Sequence, residues 1–553
     1  MHRALFVSIM PHPRCFVPLL ILALLMLPAG CARHETAVES GTRNQILHLG
    51  NKDEPADLDP HTNNAATTGY LLSSLFEGLV TYGNDGTTIL PGVAERWDVS
   101  ADGLTYTFHL RANARWSNGD PVTAQDFRDS FLRVLDPVLG CEQANQAFPI
   151  VGARDFLEGR SKDPNSVGVR APDARTFVTI LSHPAPYWLG TLAQNGPLWP
   201  VNLRAIEAAG GDRHKRGGAW TRAGKLVGNG PFVLAEWRPN SLIRVVRNPL
   251  YWDAAHVRLS EVCFYPTDDE SAEEHSYRAG QLHVTYRLPE PKVAGYERDR
   301  PAELQISPEL RTIYLTFNVT KPPFTDVRLR RAFSLAVNRE QLVHAALGKL
   351  GTPAHAMVRS GTGGYTPPAA VGFDPAEARR LLAEAGYPGG KGLPGIEFTL
   401  NGNTGIALVT GAALQAMWAQ NLGVRVSVIP CEFKVYLSTL REKQFQLLLD
   451  SWAYGIADPR DVLQVATSGD PNNDSAWGNP KFDAAFAATD STRDPAERCA
   501  AFDTMEKILA QDVPYAPLYY GNQGFLLHPS VHGWRNNPLH AIDWRELWLE
   551  PAK

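Results

Sequence analysis

Trp452, Tyr454 and Asp458 stand close together in the chain, directly after the apolar run 445–450 (FQLLLD), which reads as a buried strand. Two aromatic faces beside a carboxylate are parts of a small-molecule site, where apolar walls combine with a few convergent polar groups. Packing in the core is the competing use of Trp452 and Tyr454, since aromatics serve cores more often than ligands. Covalent chemistry has no comparable set of residues. There is no G-x-S-x-G, no H-E-x-x-H and no Walker loop. The sixteen histidines are scattered, and no pair of carboxylates stands out for acid–base work. Of the six cysteines, Cys141, Cys263, Cys431 and Cys499 are widely spaced with no C-x-x-C, so zinc is not expected. Disulfides and buried free thiols both remain open for them. The expectation is a binding protein with no catalytic residue, no metal and no cofactor.

Two further positions carry weaker signals. Asn229-Gly230 is a turn where backbone could approach a ligand closely, or a plain tight turn. Arg359 lies in the Gly/Pro-rich stretch 351–368 and could pair with a ligand carboxylate, although most arginines are simply solvated.

Strand-like and helix-like segments alternate along the chain, which points to α/β architecture. The run 104–111 (LTYTFHLR) alternates as a half-buried strand entered through Asp102-Gly103. A turn follows at 117–121. Thr123 then precedes Asp126 by three residues, an acidic capping box, with Val122 and Phe127 placed as a hydrophobic staple. Phe127, Phe131 and Leu135 follow at helical spacing, and Pro137 ends the run. Asp326 reads as the cap of one helix and Asn338, with Gln341, as the cap of the next, which Gly348 stops. Asp374-Pro375 opens another helix, closed by Gly386. The runs 424–429 and 445–450 read as buried strands flanking a short helix.

The N-terminus reads as an export signal. Arg3 and Arg14 precede the apolar run 16–27, which is too short to span a bilayer comfortably. Pro28-Ala29-Gly30-Cys31 resembles a lipoprotein cleavage box, with Pro28 where an aliphatic residue is usual, so Cys31 is the expected lipid acceptor. The polar stretch 32–44 reads as a flexible tether. The remainder is too long for one core, so two or three domains are expected. At 44% hydrophobic and 20% charged the chain is globular. Its net charge of −5, with no basic block, argues against a nucleic-acid partner.

The string 94–126 (AERWDVSADGLTYTFHLRANARWSNGDPVTAQD) resembles the signature of the solute-binding proteins of peptide and nickel ABC importers, extracellular solute-binding protein family 5, and looks most like their oligopeptide-binding members. Leu75-Phe76-Glu77-Gly78-Leu79 is similar to the family's FEGL element. Gly228–Phe232 with Trp237 and Asn248-Pro-Leu-Tyr251-Trp252 is similar to its NGPF…EW…NPxYW segment. Asn318…Pro323-Phe324…Asp326-Val327-Arg328 is similar to its N…PF.DVR element. The resemblance implies a bilobal periplasmic-binding-protein fold of class II with an extra small domain. Its divisions would be 1–30 signal, 31–44 tether, 45–86, 206–311 and 525–553 as one lobe, 87–205 as the inserted small domain, and 312–524 as the second lobe. It implies capture of oligopeptides between the lobes and delivery to permease subunits by a monomer in the periplasm or cell envelope, lipid-anchored at Cys31. A modified peptide, a metal chelate or another solute is the alternative ligand, and a surface hydrolase the less favoured class. In peptide-binding relatives an aspartate three residues after Trp pairs with the ligand's α-ammonium. Here that position is Gly455, so either Asp458 or Asp461 replaces it or the ligand lacks a free amino end. The resemblance also places Thr67, Thr68 and Gly69 at an edge that pairs with ligand backbone.

Overall fold

A computed structural model describes residues 35–63, 65–194, 196–402 and 405–551. The expected signal and Cys31 lie outside the described residues. The tether is shorter than expected, because Ala37–Asn44 is a helix. Thr36 accepts from the Glu39 N–H while Glu39 accepts from the Thr36 N–H, so both chain ends of the capping box are satisfied. The 32–44 stretch lacked an apolar stripe long enough to show this helix; Val38 alone of its large apolar residues is buried.

Three hydrophobic cores, the largest among the described residues, surround the main sheets. The first surrounds a four-stranded sheet in the order Ile46–Gly50, Glu261–Tyr265, Leu242–Arg247, Phe232–Arg238. The first pair is parallel, with Ile46 opposite Glu261. Trp544, from the C-terminal segment, packs edge-on against Phe232 and Phe264 and so closes this core with residues distant in sequence. The second core belongs to the sheet Ala94–Val99, Thr105–Leu110, Thr176–Ile180, Val169–Asp173. The helix Ala124–Val134 covers it, capped reciprocally by Thr123 and Asp126 as expected. Phe127 and Phe131 meet Phe177 at centroid distances of 5.7 and 5.3 Å.

The third core belongs to a six-stranded mixed sheet, in the order Gly351–Pro353, Tyr515–Leu526, Leu304–Phe317, Leu447–Ala453, Glu397–Leu400, Ser427–Pro430. Asp326, Asn338 and Asp374 cap the helices Val327–Leu335, Arg339–Ala346 and Pro375–Glu384, each cap worth about 1 kcal/mol. The expected strand at 445–450 runs on to Ala453, carrying Trp452 with it. The strand expected at 424–429 is Ser427–Pro430 instead and is not buried: it is the edge of the sheet, largely exposed. An edge strand can carry the same β-branched residues as an inner one, so composition did not separate them.

Two strands are longer than the sheet needs. Leu304–Phe317 and Tyr515–Leu526 pair antiparallel from Leu304 opposite Leu526 to Pro308 opposite Asn522, lose register, and resume with Thr312 opposite Tyr520. The end where Leu304 faces Leu526 packs beside Tyr277, Leu288 and Val293, and the end that holds Leu315, Phe317, Ala516 and Leu518 lies in the third core. The chain thus crosses between bodies twice, side by side, at a shared irregularity. A bulged strand pair is a place where two bodies can rotate with little loss of pairing. The fold is α/β and bilobal with a small extra domain. Among the described residues, Cys141 and Cys263 are buried free thiols, and Cys431 and Cys499 are partly exposed free thiols.

Candidate ligand-binding cleft

A cavity of about 530 Å³ opens beside the strand crossing. One wall comes from 60–82 and 193–199, including Gly69, Phe76, Glu77 and Tyr82. The floor is Glu309, Leu310 and Arg311 on the crossing strand. The opposite wall is Ala453, Tyr454 and Gly455, and 538–545 lines a side. The volume suits an organic solute of moderate size.

Tyr454 is held by its neighbours on both ends. Its N–H donates to the Leu310 carbonyl (2.8 Å). Its hydroxyl donates to the Met357 carbonyl (3.0 Å) and accepts from the Arg359 N–H (3.2 Å). The ring is therefore a fixed wall. Asp461 sits behind the next turn. One oxygen accepts from Trp452 Nε1 (2.6 Å), and the other from the Gly455 and Ile456 N–H groups (3.1 and 3.2 Å). Burial pushes its carboxyl up to about 6. Trp452 thus serves to hold Asp461 rather than to line the cavity.

Of the ten expected ligand-binding positions, Gly69, Tyr454 and Gly455 line the cleft and the others are engaged elsewhere. Asp458 caps the helix Pro459–Leu463 and forms a two-pronged ion pair with Arg498 (2.7 and 2.9 Å). Asn229 accepts from the Glu77 N–H (3.0 Å) and donates to the Glu77 carbonyl (2.8 Å), joining two distant motifs. A Cβ on Gly230 would meet Leu75 C at 2.5 Å and Phe76 N at 2.7 Å, so the close approach there is to the chain's own backbone. Arg359 donates to the carbonyls of Glu309 (3.2 Å) and Gly521 (2.8 Å) and to Asn522 Oδ1 (3.0 Å), and so braces the crossing strands. Thr67 and Thr68 lie in a helical turn, Ala66–Thr68, that leads into the helix Gly69–Leu75, so this backbone offers no free strand edge, and Thr68 makes no side-chain cap.

Sequence reasoning missed most of the polar lining. Glu309 accepts from Arg287 (2.6 Å), and Asp543 accepts from Arg545 at 2.7 and 2.6 Å. Glu77 accepts from Tyr251 (2.5 Å) and Trp252 (2.6 Å), and burial pushes its carboxyl up to about 7. Arg287 Nε, Trp199 Nε1, His540 Nε2 and Gln194 Oε1 are buried lining atoms without a partner in the described protein. Orphaned buried polar atoms of this kind are rare unless a ligand or water completes them. No sequence signal marks them, because they converge from three separate segments.

Residues 88–474 match the family described as bacterial extracellular solute-binding proteins, family 5 Middle. The chain belongs to that family. The murein peptide-binding protein MppA of Escherichia coli K12 is 35% identical over 93% of this chain and 95% of its own. A structure of MppA in its unliganded open form is similar with a TM-score of 0.80, at 33% identity, covering 92% of this chain and 97% of that one. The oligopeptide-binding protein OppA of the same strain is 33% identical over 96% and 97% of the two chains. The probable deoxycholate-binding protein YgiS, also of that strain, is 33% identical over 92% and 94%. The family 5 cleft in this chain has no candidate metal cluster among the described residues, and none of their helices is long and apolar enough to cross a membrane.

Proposed function

We propose that this chain is the solute receptor of an ABC importer, capturing peptides or peptide-like solutes between its lobes and delivering them to the permease. One observation carries this reading: the cavity is walled from both bodies and floored by the long strand pair that joins them. A ligand touching both walls stabilises the closed form in proportion to its extra contacts there. The relatives named MppA and OppA support a peptide. No covalent step is needed, and capture and release leave the solute unchanged. We read 312–524 as the body that moves, with the tether reduced to the residues before the first helix. The receptor acts in the periplasm as a monomer, held to a membrane by a lipid on Cys31.

Mass spectrometry of solutes released by denaturing the purified protein tests this. Intact peptides support the receptor; cleaved products of an added peptide mixture overturn it in favour of a hydrolase. Loss of membrane association in Cys31→Ser tests the anchor. A second reading, a modified or non-peptide solute, is favoured by Gly455, which leaves the amino-end aspartate of peptide-binding relatives absent. The name of YgiS, a probable deoxycholate-binding relative, points the same way.

A further inference from the structure

Every carboxylate lining the cleft already has a donor. Glu309 is held by Arg287, Asp543 by Arg545, and Glu77 by Tyr251 and Trp252. The two acids nearest Gly455 in sequence are engaged as well, Asp461 by Trp452 and two backbone N–H groups, Asp458 by Arg498. An incoming α-ammonium therefore meets no free counter-charge among the described residues, and leaving one unpaired on burial is costly.

The unpaired charge left over among the described lining residues has the opposite character, and the orphaned acceptor there, Gln194 Oε1, is neutral. Arg311 lines the cleft, is exposed, and makes no hydrogen bond or ion pair among the described residues. Strand register places it opposite Ala453, while the Tyr454 N–H donates to Leu310. The cation thus stands beside the segment that ends at Gly455. Two of the orphaned lining atoms, Arg287 Nε and Trp199 Nε1, are N–H donors too. An ammonium brought to this wall meets a like charge, whereas a carboxylate gains a charge-assisted hydrogen bond.

We propose that this cleft selects solutes that carry a carboxylate and lack a free α-ammonium, with Arg311 as the partner of the anion. The inference rests on the receptor reading above and narrows its ligand class. Such solutes include N-blocked acidic peptides and other organic acids, which share the chemistry.

The test titrates the tripeptide Ala-Glu-Ala in four forms, with the amino end free or acetylated and the two carboxyls free or amidated. Binding is read by intrinsic fluorescence, since Trp199 and Trp544 line the cleft. In wild type the acetylated acid binds at least tenfold more tightly than the free-amine amide. Arg311→Gln removes that preference and Arg311→Lys retains most of it; the exposed position keeps both variants folded. Equal or reversed preference overturns the inference while leaving the receptor standing, because peptides still bind. An unchanged preference in Arg311→Gln removes Arg311 from its role and overturns the proposal as stated. No binding of any form by the folded protein takes down both readings for peptides, and a parallel titration with deoxycholate then tells an organic-acid receptor, which keeps the inference, from a protein that binds neither, which ends it.

Discussion

The side-chain amide of Asn229 pairs with both backbone groups of Glu77, donating at 2.8 Å and accepting at 3.0 Å. Both residues are buried. The contact locks the turn at 228–232 to the end of the helix Gly69–Leu75, and so sets the height of one cleft wall. Asn229→Ala orphans two buried backbone groups, at about 1–3 kcal/mol each. The denaturation midpoint falls accordingly in urea, and Asn229→Asp, which loses the donor but keeps the acceptor, lies between the two.

Asp458 and Arg498 form a nearly buried pair, so truncating either leaves the other charge uncompensated. Asp458→Ala lowers unfolding free energy by about 3–5 kcal/mol. The variant that still folds retains the order of ligand preference, because the carboxylate does not reach the cleft. A calorimetric comparison of apo stability and of ligand ranking separates the two effects. A selective loss of amine-bearing ligands would return Asp458 to the site.

His48 and His283 stack at a 5.5 Å centroid distance, under the helix Ala37–Asn44, with Thr42 Oγ1 3.2 Å from His283 Nε2. Burial lowers His48 to about 4, and burial with the neighbouring His48 charge lowers His283 to about 3. Unfolded histidine takes up its proton near pH 6.5. The folded chain therefore binds fewer protons below that pH. The stability these groups confer is complete above about pH 6.5 and declines as pH falls toward 4 and 3. Glu273 and Glu506, pushed up to about 7 by burial, act oppositely: their contribution is full below about pH 4.5 and is lost as pH rises through 7. The difference between wild type and His283→Gln isolates the histidine, and it shrinks from pH 7 to pH 4 in thermal melts. Hydrogen exchange in 37–44 rises over the same interval.

Arg493, between the helices Pro480–Ser491 and Pro495–Asp512, reaches the small domain, where it donates to the carbonyls of Ala101 and Ser100 (3.3 Å for Ser100). None of the three residues lines the cleft. Arg493→Ala removes an exposed pair of hydrogen bonds that favours closure, worth about 1 kcal/mol. Ligand affinity drops about fivefold, with faster release and an unchanged apo melting temperature. Stopped-flow dissociation measures it.

The sequence by itself determined the family, the α/β class and the helix starts at Thr123, Asp326, Asn338 and Asp374. Those features are local or are carried by long ungapped strings: Thr123 with Asp126, Asn338 with Gln341, and Asp374 with Glu377 each cap a helix through hydrogen bonds that span a few residues. It also placed Gly455 where the family resemblance implies an acid. Only the tertiary structure decided which polar groups line the cleft. Asp458, Arg359 and Asn229 looked available because a sequence does not show their partners, Arg498, Gly521 and Glu77, which arrive from far along the chain. Arg311 looked like any surface arginine. Its standing depends on strand register and on the pairing of every carboxylate around it, and charge balance in a cleft is a property of residues brought together by folding.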